Sequence, residues 1–161
     1  MKEIYIILTY TGTILSNIIK TYTRDEYSHV SISLDKELNE MYSFGRLNPY
    51  NAFIGGFIHE KIDAGTFKRF KNTKAMIYSL EIEEEQYKKI KDKIKEMEQE
   101  KETYRFNIWG LFAVSIHKKI KAPRTFYCAE FVKYILEEAG IELELPEIIR
   151  PQNFKDIPKK F

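Results

Sequence analysis

Hydrophobic and polar positions along this chain change period several times, and each change marks an element. Ile4 to Tyr10 is apolar and β-branched and breaks at Gly12, which predicts a buried strand. Thr13 to Thr23 carries Ile14, Leu15, Ile18 and Ile19 at near-helical spacing and predicts a short helix. From Ser28 to Leu34 the side chains alternate strictly, with His29, Ser31 and Ser33 against Val30, Ile32 and Leu34. A period of two predicts a half-buried strand with the histidine on its polar side. Asp35 to Glu37 reads as a turn and Leu38 to Phe44 as the returning strand, ended by Gly45. Arg46 to Gly56, with Asn48, Pro49, Asn51 and two glycines, reads as a loop. Phe57–Ile62, Thr66–Phe70 and Ala75–Ile82 are strand-like, punctuated by Gly65 and Asn72, so the middle of the chain is expected to be an antiparallel sheet.

The pattern then becomes helical. Glu83 to Glu102 places Tyr87, Ile90, Ile94 and Met97 on one stripe, with three glutamates in the first turn where the helix dipole favours negative charge. Ile108 to Ile116 is a shorter apolar helix. The basic run from Lys118 to Arg124 that follows is the best candidate for an anionic contact, although cations are favoured at a helix C-terminus in any case. Cys128 to Ala139 is amphipathic and closed by Gly140. The tail, residues 145–161, contains Pro146, Pro151 and Pro158 and is expected to be mostly irregular.

Composition narrows the class. A chain of 161 residues fits one domain spanning 1–161, and 43% hydrophobic residues exclude global disorder. A net charge of only +2 speaks against a nucleic-acid binder. The single cysteine forbids an intramolecular disulfide and any zinc site built on several thiolates, and the three histidines show no metal-ligand spacing. No metal and no cofactor are expected. The apolar run at the N-terminus is too short for a signal peptide, and no stretch approaches the ~20 residues of a membrane span. The expectation is therefore a soluble, cytoplasmic protein without a transmembrane segment.

Two residues carry chemistry. Cys128 opens a helix, where the dipole and unpaired backbone N–H groups favour a thiolate and offer part of an oxyanion hole. A free cysteine on an apolar stripe is also a common core residue. His29 lies on the polar side of its strand, where a core histidine would not be expected. One cysteine with a distant histidine is the pattern of a Cys-His hydrolase. His59 and His117 are less promising, being a strand residue followed by Glu60 and a helix-terminal residue.

The run Tyr27-Ser28-His29-Val30-Ser31-Ile32-Ser33-Leu34 resembles the histidine strand of the NlpC/P60 superfamily, and Tyr127-Cys128-Ala129-Glu130-Phe131-Val132 resembles its nucleophile helix. The histidine precedes the cysteine here, as in the circularly permuted, papain-like branch that includes the YiiX/YaeF-like cysteine hydrolases. The helix before His29 and the run Tyr42-Ser43-Phe44-Gly45-Arg46 also look like that branch. The resemblance implies an α+β domain in which helices pack on a central antiparallel sheet. It also implies a cysteine amidase or peptidase forming an acyl-enzyme, with Cys128 as nucleophile and His29 as base. A third polar residue should orient the imidazole. That position falls on Ser43, where family members usually carry a histidine, glutamate or asparagine. Glu40 and Gln152 are the fallbacks.

Glu130, Tyr104 and Tyr10 are the candidate substrate contacts, each with a structural alternative as a helix-start acid or a packed aromatic. The substrate would be a small molecule, a peptide or a lipid amide. Lipid acyl transfer, thioester hydrolysis and a non-enzymatic binding role remain open, the last favoured by the uncharged Ser43.

Overall fold

The computed structural model describes the chain apart from residues 13, 49–50, 65–67, 69–71 and 158–161. Five strands form its sheet: β1 (Lys2–Tyr10), β2 (His29–Ser33), β3 (Met41–Asn48), β4 (Asn51–Glu60) and β5 (Lys74–Ile82). They lie in the order β4-β3-β2-β1-β5, and every neighbouring pair is antiparallel. Among the described residues four α-helices accompany the sheet in an α+β fold: α1 (Ile14–Thr23), α2 (Glu84–Gln99), α3 (Ile108–Val114) and α4 (Cys128–Glu138). Among the described residues no helix is long and apolar enough to cross a membrane.

Register makes the faces coherent. Ile6 pairs with Ile32, Ile32 with Tyr42, and Phe44 with Phe57, so large apolar side chains line up across four strands. Against them pack Phe131, Val132, Ile135 and Leu136 of α4 and Ile90, Ile94 and Met97 of α2, all buried in one cluster. The cysteine helix lies over β2 and β3, the two strands that bear His29 and Ser43. β2 is buried on both sides, not half-buried: Ser31 and Ser33 are as inaccessible as Val30 and Ile32. The second face of the sheet here carries a buried polar layer that includes Ser31, Ser33 and Ser43.

One expectation changes. The segment read as a loop from Arg46 to Gly56 is a hairpin, with Gly45 opposite Gly56, Arg46 opposite Gly55 and Asn48 opposite Asn51. Its glycines serve close approach. A Cβ on Gly55 would sit 2.6 Å from Cβ of Phe106, so a side chain there would push away the segment leading into α3. The strand expected at Thr66–Phe70 lies, apart from Lys68, outside the described residues. The tail is irregular over residues 145–150, but it is packed. Ile149 and Phe154 are buried, Pro151–Asp156 forms a 3-10 helix, and Tyr127 donates a hydrogen bond of 2.7 Å to the Ile149 carbonyl. Those contacts fix the tail against the start of α4.

The starts of α3 and α4 are bound together. Arg105–Phe106 (β6) and Thr125–Phe126 (β7) pair in parallel just before the two helices. Asn107 caps α3 by accepting from the Gly110 N–H at 2.9 Å, and it donates to the Ile120 carbonyl at 2.8 Å. A Cβ on Gly110 would overlap that capping amide, 2.6 Å from Asn107 Cγ.

Candidate active site

Cys128 is the first residue of α4, buried at 4% exposure. Its helix start is braced by Glu130, whose Oε2 accepts the Tyr127 backbone N–H at 3.1 Å and the Asn107 amide at 3.3 Å. A glutamate three residues into a helix that bonds back to the cap is a capping device. Burial raises the pKa of this carboxyl, and its bonds to Tyr127 and Asn107 oppose the rise.

His29 is the first residue of β2, opposite Thr9 of β1. The ring is 23% exposed, and its Nε2 lies 2.6 Å from Oε1 of Glu60. Cys128 lies near enough to the imidazole to favour its charged form. Burial alone would disfavour the imidazolium. The Glu60 charge, together with Cys128 and the bond to Glu60, overcomes this and lifts the pKa from 6.5 to about 10.

Glu60 ends β4 and is 9% exposed. Its Oε1 also accepts from the Ser43 hydroxyl, and its Oε2 accepts from Ser31 Oγ at 3.0 Å. Burial pushes its carboxyl up, but the His29 charge and the three side-chain bonds prevail and leave it below the ordinary value. The arrangement is therefore an ionised pair, with the carboxylate held by two buried serines.

The fold brings the helix that begins at Cys128 over the strand that begins at His29. The orienting residue does not fall where expected: Ser43 bonds Glu60, and Glu60 bonds His29. Ser43 therefore acts one step removed from the imidazole. Its short side chain lies in mid-sheet, whereas a glutamate on the adjoining strand can extend to the ring. Neither fallback takes that place. Gln152 accepts from the Tyr27 N–H at 3.3 Å, and the Glu40 carbonyl closes the β2–β3 turn by accepting from the Leu34 N–H.

The candidate substrate contacts have structural occupations. Glu130 is spent on capping. Tyr104 is buried edge-on to Phe44, with the Arg124 guanidinium over its ring at 4.6 Å. Tyr10 bonds Asn17 of α1 and lies under the Lys20 ammonium at 4.3 Å.

Sequence reasoning missed Glu60. The available signal was a carboxylate two residues after Ile58 on a strand beside β3, and misplacing the hairpin hid that register. It also missed Thr9, whose Oγ1 is buried and has no hydrogen-bond partner among the described residues. An unsatisfied hydroxyl directly across the ladder from His29 is a donor with its capacity unspent. Among the described residues no group of three or more His, Cys, Asp or Glu side chains could hold a metal ion.

No protein-family model matches this chain, and no curated protein or solved structure matches it either.

Proposed function

We propose that this protein is a cysteine hydrolase of the permuted, papain-like NlpC/P60 kind, cleaving an amide through an acyl-enzyme. The observation that carries the reading is the 2.6 Å His29–Glu60 pair, buried beside a cysteine at the first turn of a helix. A structural cysteine needs no ionised imidazole beside it, whereas a nucleophile does.

The chemistry follows from the groups. The Cys128 sulfur attacks the carbonyl carbon while imidazolium and thiolate are paired. The carbonyl oxygen becomes an oxyanion beside the first-turn backbone N–H groups, the Cys128 N–H among them. With Nε2 engaged by Glu60, Nδ1 is the nitrogen available to serve the thiol and the leaving group. His29 gives its proton to the leaving amine as the C–N bond breaks, which leaves a thioester on Cys128. A water then loses a proton to the neutral imidazole and attacks the thioester, releasing the acid and restoring the thiolate. Glu60 stays ionised throughout, orienting the ring and stabilising its charged form. Ser31 and Ser43 hold Glu60 in turn.

Ser43 was the feature that favoured a non-enzymatic binding domain, and Glu60 supplies the charge that serine lacks. Lipid acyl transfer and thioester hydrolysis would pass through the same intermediate with a different donor or acceptor. The test is turnover of a panel of amide, ester and thioester substrates by wild type and Cys128→Ala. Product release by wild type alone is expected. Equal release by both, or by neither, would overturn the proposal.

A further inference from the structure

We propose that the face formed by α3 and the turn after it docks on an anionic phospholipid bilayer. The sequence of α3 buries Ile108, Gly110, Ala113 and Val114. Trp109, Phe112 and Ile116 then fall on the opposite side at spacings of three and four, all exposed, with Trp109 and Ile116 each at 63%. The chain after α3 turns back over it: Lys118 N–H donates to the Ala113 carbonyl at 2.9 Å, and the Ile120 carbonyl is held by the Asn107 cap. This brings exposed Ile120 to the same patch. Tyr22, at the end of α1, is also exposed and lines a groove with Phe112. Five large apolar side chains thus converge on one region, whereas Met1, Leu47, Ile54, Ile62 and Ile77 are exposed elsewhere in the sequence.

Charge selects the partner. Between Asn107 and Arg124 the chain carries Lys118, Lys119, Lys121 and Arg124 and no carboxylate, although the whole protein is nearly neutral. All four cations are exposed. Lys119 reaches Glu147 and Arg124 reaches Glu100, both surface pairs that water screens. Lys118 and Lys121 have no ion pair among the described residues. Lysine is depleted from protein–protein interfaces, so an apolar patch ringed by it is a poor fit to a protein partner. A second copy meeting this face would bring lysines onto lysines. A nucleic acid has no use for the aliphatic side chains. An anionic bilayer satisfies both halves: tryptophan and isoleucine enter the interface, and the lysines lie at the headgroups.

Vesicle binding is read without catalysis, so this proposal stands or falls separately from the hydrolase reading. Trp109 is the only tryptophan, which makes its emission a reporter placed within the patch. The experiment titrates the full chain with phosphatidylcholine vesicles with and without phosphatidylserine, following emission and co-sedimentation. The expected result is a blue shift and pelleting with the anionic vesicles, reversed by added salt. Lys118→Glu/Lys121→Glu should weaken binding by roughly tenfold or more, and Phe112→Asp/Ile116→Asp should abolish it. Ile77→Asp, an exposed residue on β5, should leave it unchanged. Should the double aspartate variant fail to fold, quenching of wild-type Trp109 by brominated acyl chains gives the same answer. An unshifted emission with the protein left in the supernatant would overturn the proposal. So would equal binding to neutral vesicles, or a blue shift that grows with protein concentration in their absence, which would mark a self-associating face.

Discussion

Glu60→Gln isolates the charge on which the site depends. The amide keeps the shape of the carboxylate and can still accept from Ser31 and Ser43, but it offers His29 no negative partner. The rise of the imidazolium from 6.5 to about 10 corresponds to a preference of about 5 kcal/mol for the charged ring, shared between Glu60 and Cys128. Losing the Glu60 share should let the ring deprotonate near neutral pH and leave the thiol without a cation.

The assay is the rate of Cys128 alkylation by iodoacetamide across the pH range, with thermal melts in parallel. Near pH 7.5, where the wild-type ring is still charged and the variant's is not, the variant should react roughly tenfold more slowly, a loss of about 1.4 kcal/mol. Its melting midpoint should fall as well, because removing one member of a buried pair costs up to about 3–5 kcal/mol, less where the survivor can shed its charge.

The pH dependence has a definite sign. The folded pKa of His29 is raised, so its contribution is full below 6.5 and is lost as pH climbs through about 10. The folded pKa of Glu60 is lowered, so its contribution is full above 4.5 and is lost as pH falls through the folded value. The stability gap between wild type and Glu60→Gln should therefore be widest between those limits and close on the alkaline side. Identical alkylation profiles in the two proteins, or a gap that widens toward pH 10, would refute the reasoning.

Three other substitutions test the surroundings. Thr9→Val removes a buried hydroxyl that has no partner, and should raise the melting midpoint by an amount equivalent to about 1 kcal/mol. If that hydroxyl also serves the substrate, kcat/KM should fall while stability rises. Glu130→Ala deletes the bond back to the Tyr127 N–H and should cost about 1 kcal/mol of stability, measured by urea unfolding. Its effect on KM should be small, because the carboxylate is already engaged. Gly110→Ala forces a methyl group against the Asn107 amide and should destabilise by about 1–3 kcal/mol, with loss of the α3 cap visible in amide exchange.

Much of the fold was legible because single periods dominate single segments. The alternation of residues 28–34 marks a strand and the stripe of Ile90, Ile94 and Met97 a helix, and both elements are observed, although the polar side of β2 is buried as well. The Arg46–Gly56 hairpin was not legible. Its asparagines and glycines have loop composition, and the close approach of the Gly45 carbonyl and of Phe106 to Gly55 explains glycine there. Nor was the packing of the tail, where three prolines suggest irregularity while Ile149 and Phe154 are drawn into the core by contacts distant in sequence. The site divides the same way. Cys128 and His29 stand out by local context, on a helix start and on the polar side of a strand. Glu60 has no local signature. Its role depends on the register between β3 and β4, whereas the resemblance places the orienting position on the strand after His29, at Ser43.

The central claim is that Cys128 forms an acyl-enzyme with help from His29 and Glu60. The most direct measurement is intact mass followed by peptide mapping after mixing the protein with an activated acyl donor. The account predicts one acyl group on Cys128 in wild type, none in Cys128→Ala, and greatly slowed formation in both His29→Ala and Glu60→Gln. A folded wild-type protein that acquires no adduct from any donor in the panel, or one that is acylated as fast without His29 as with it, would contradict the claim and leave Cys128 as a core residue.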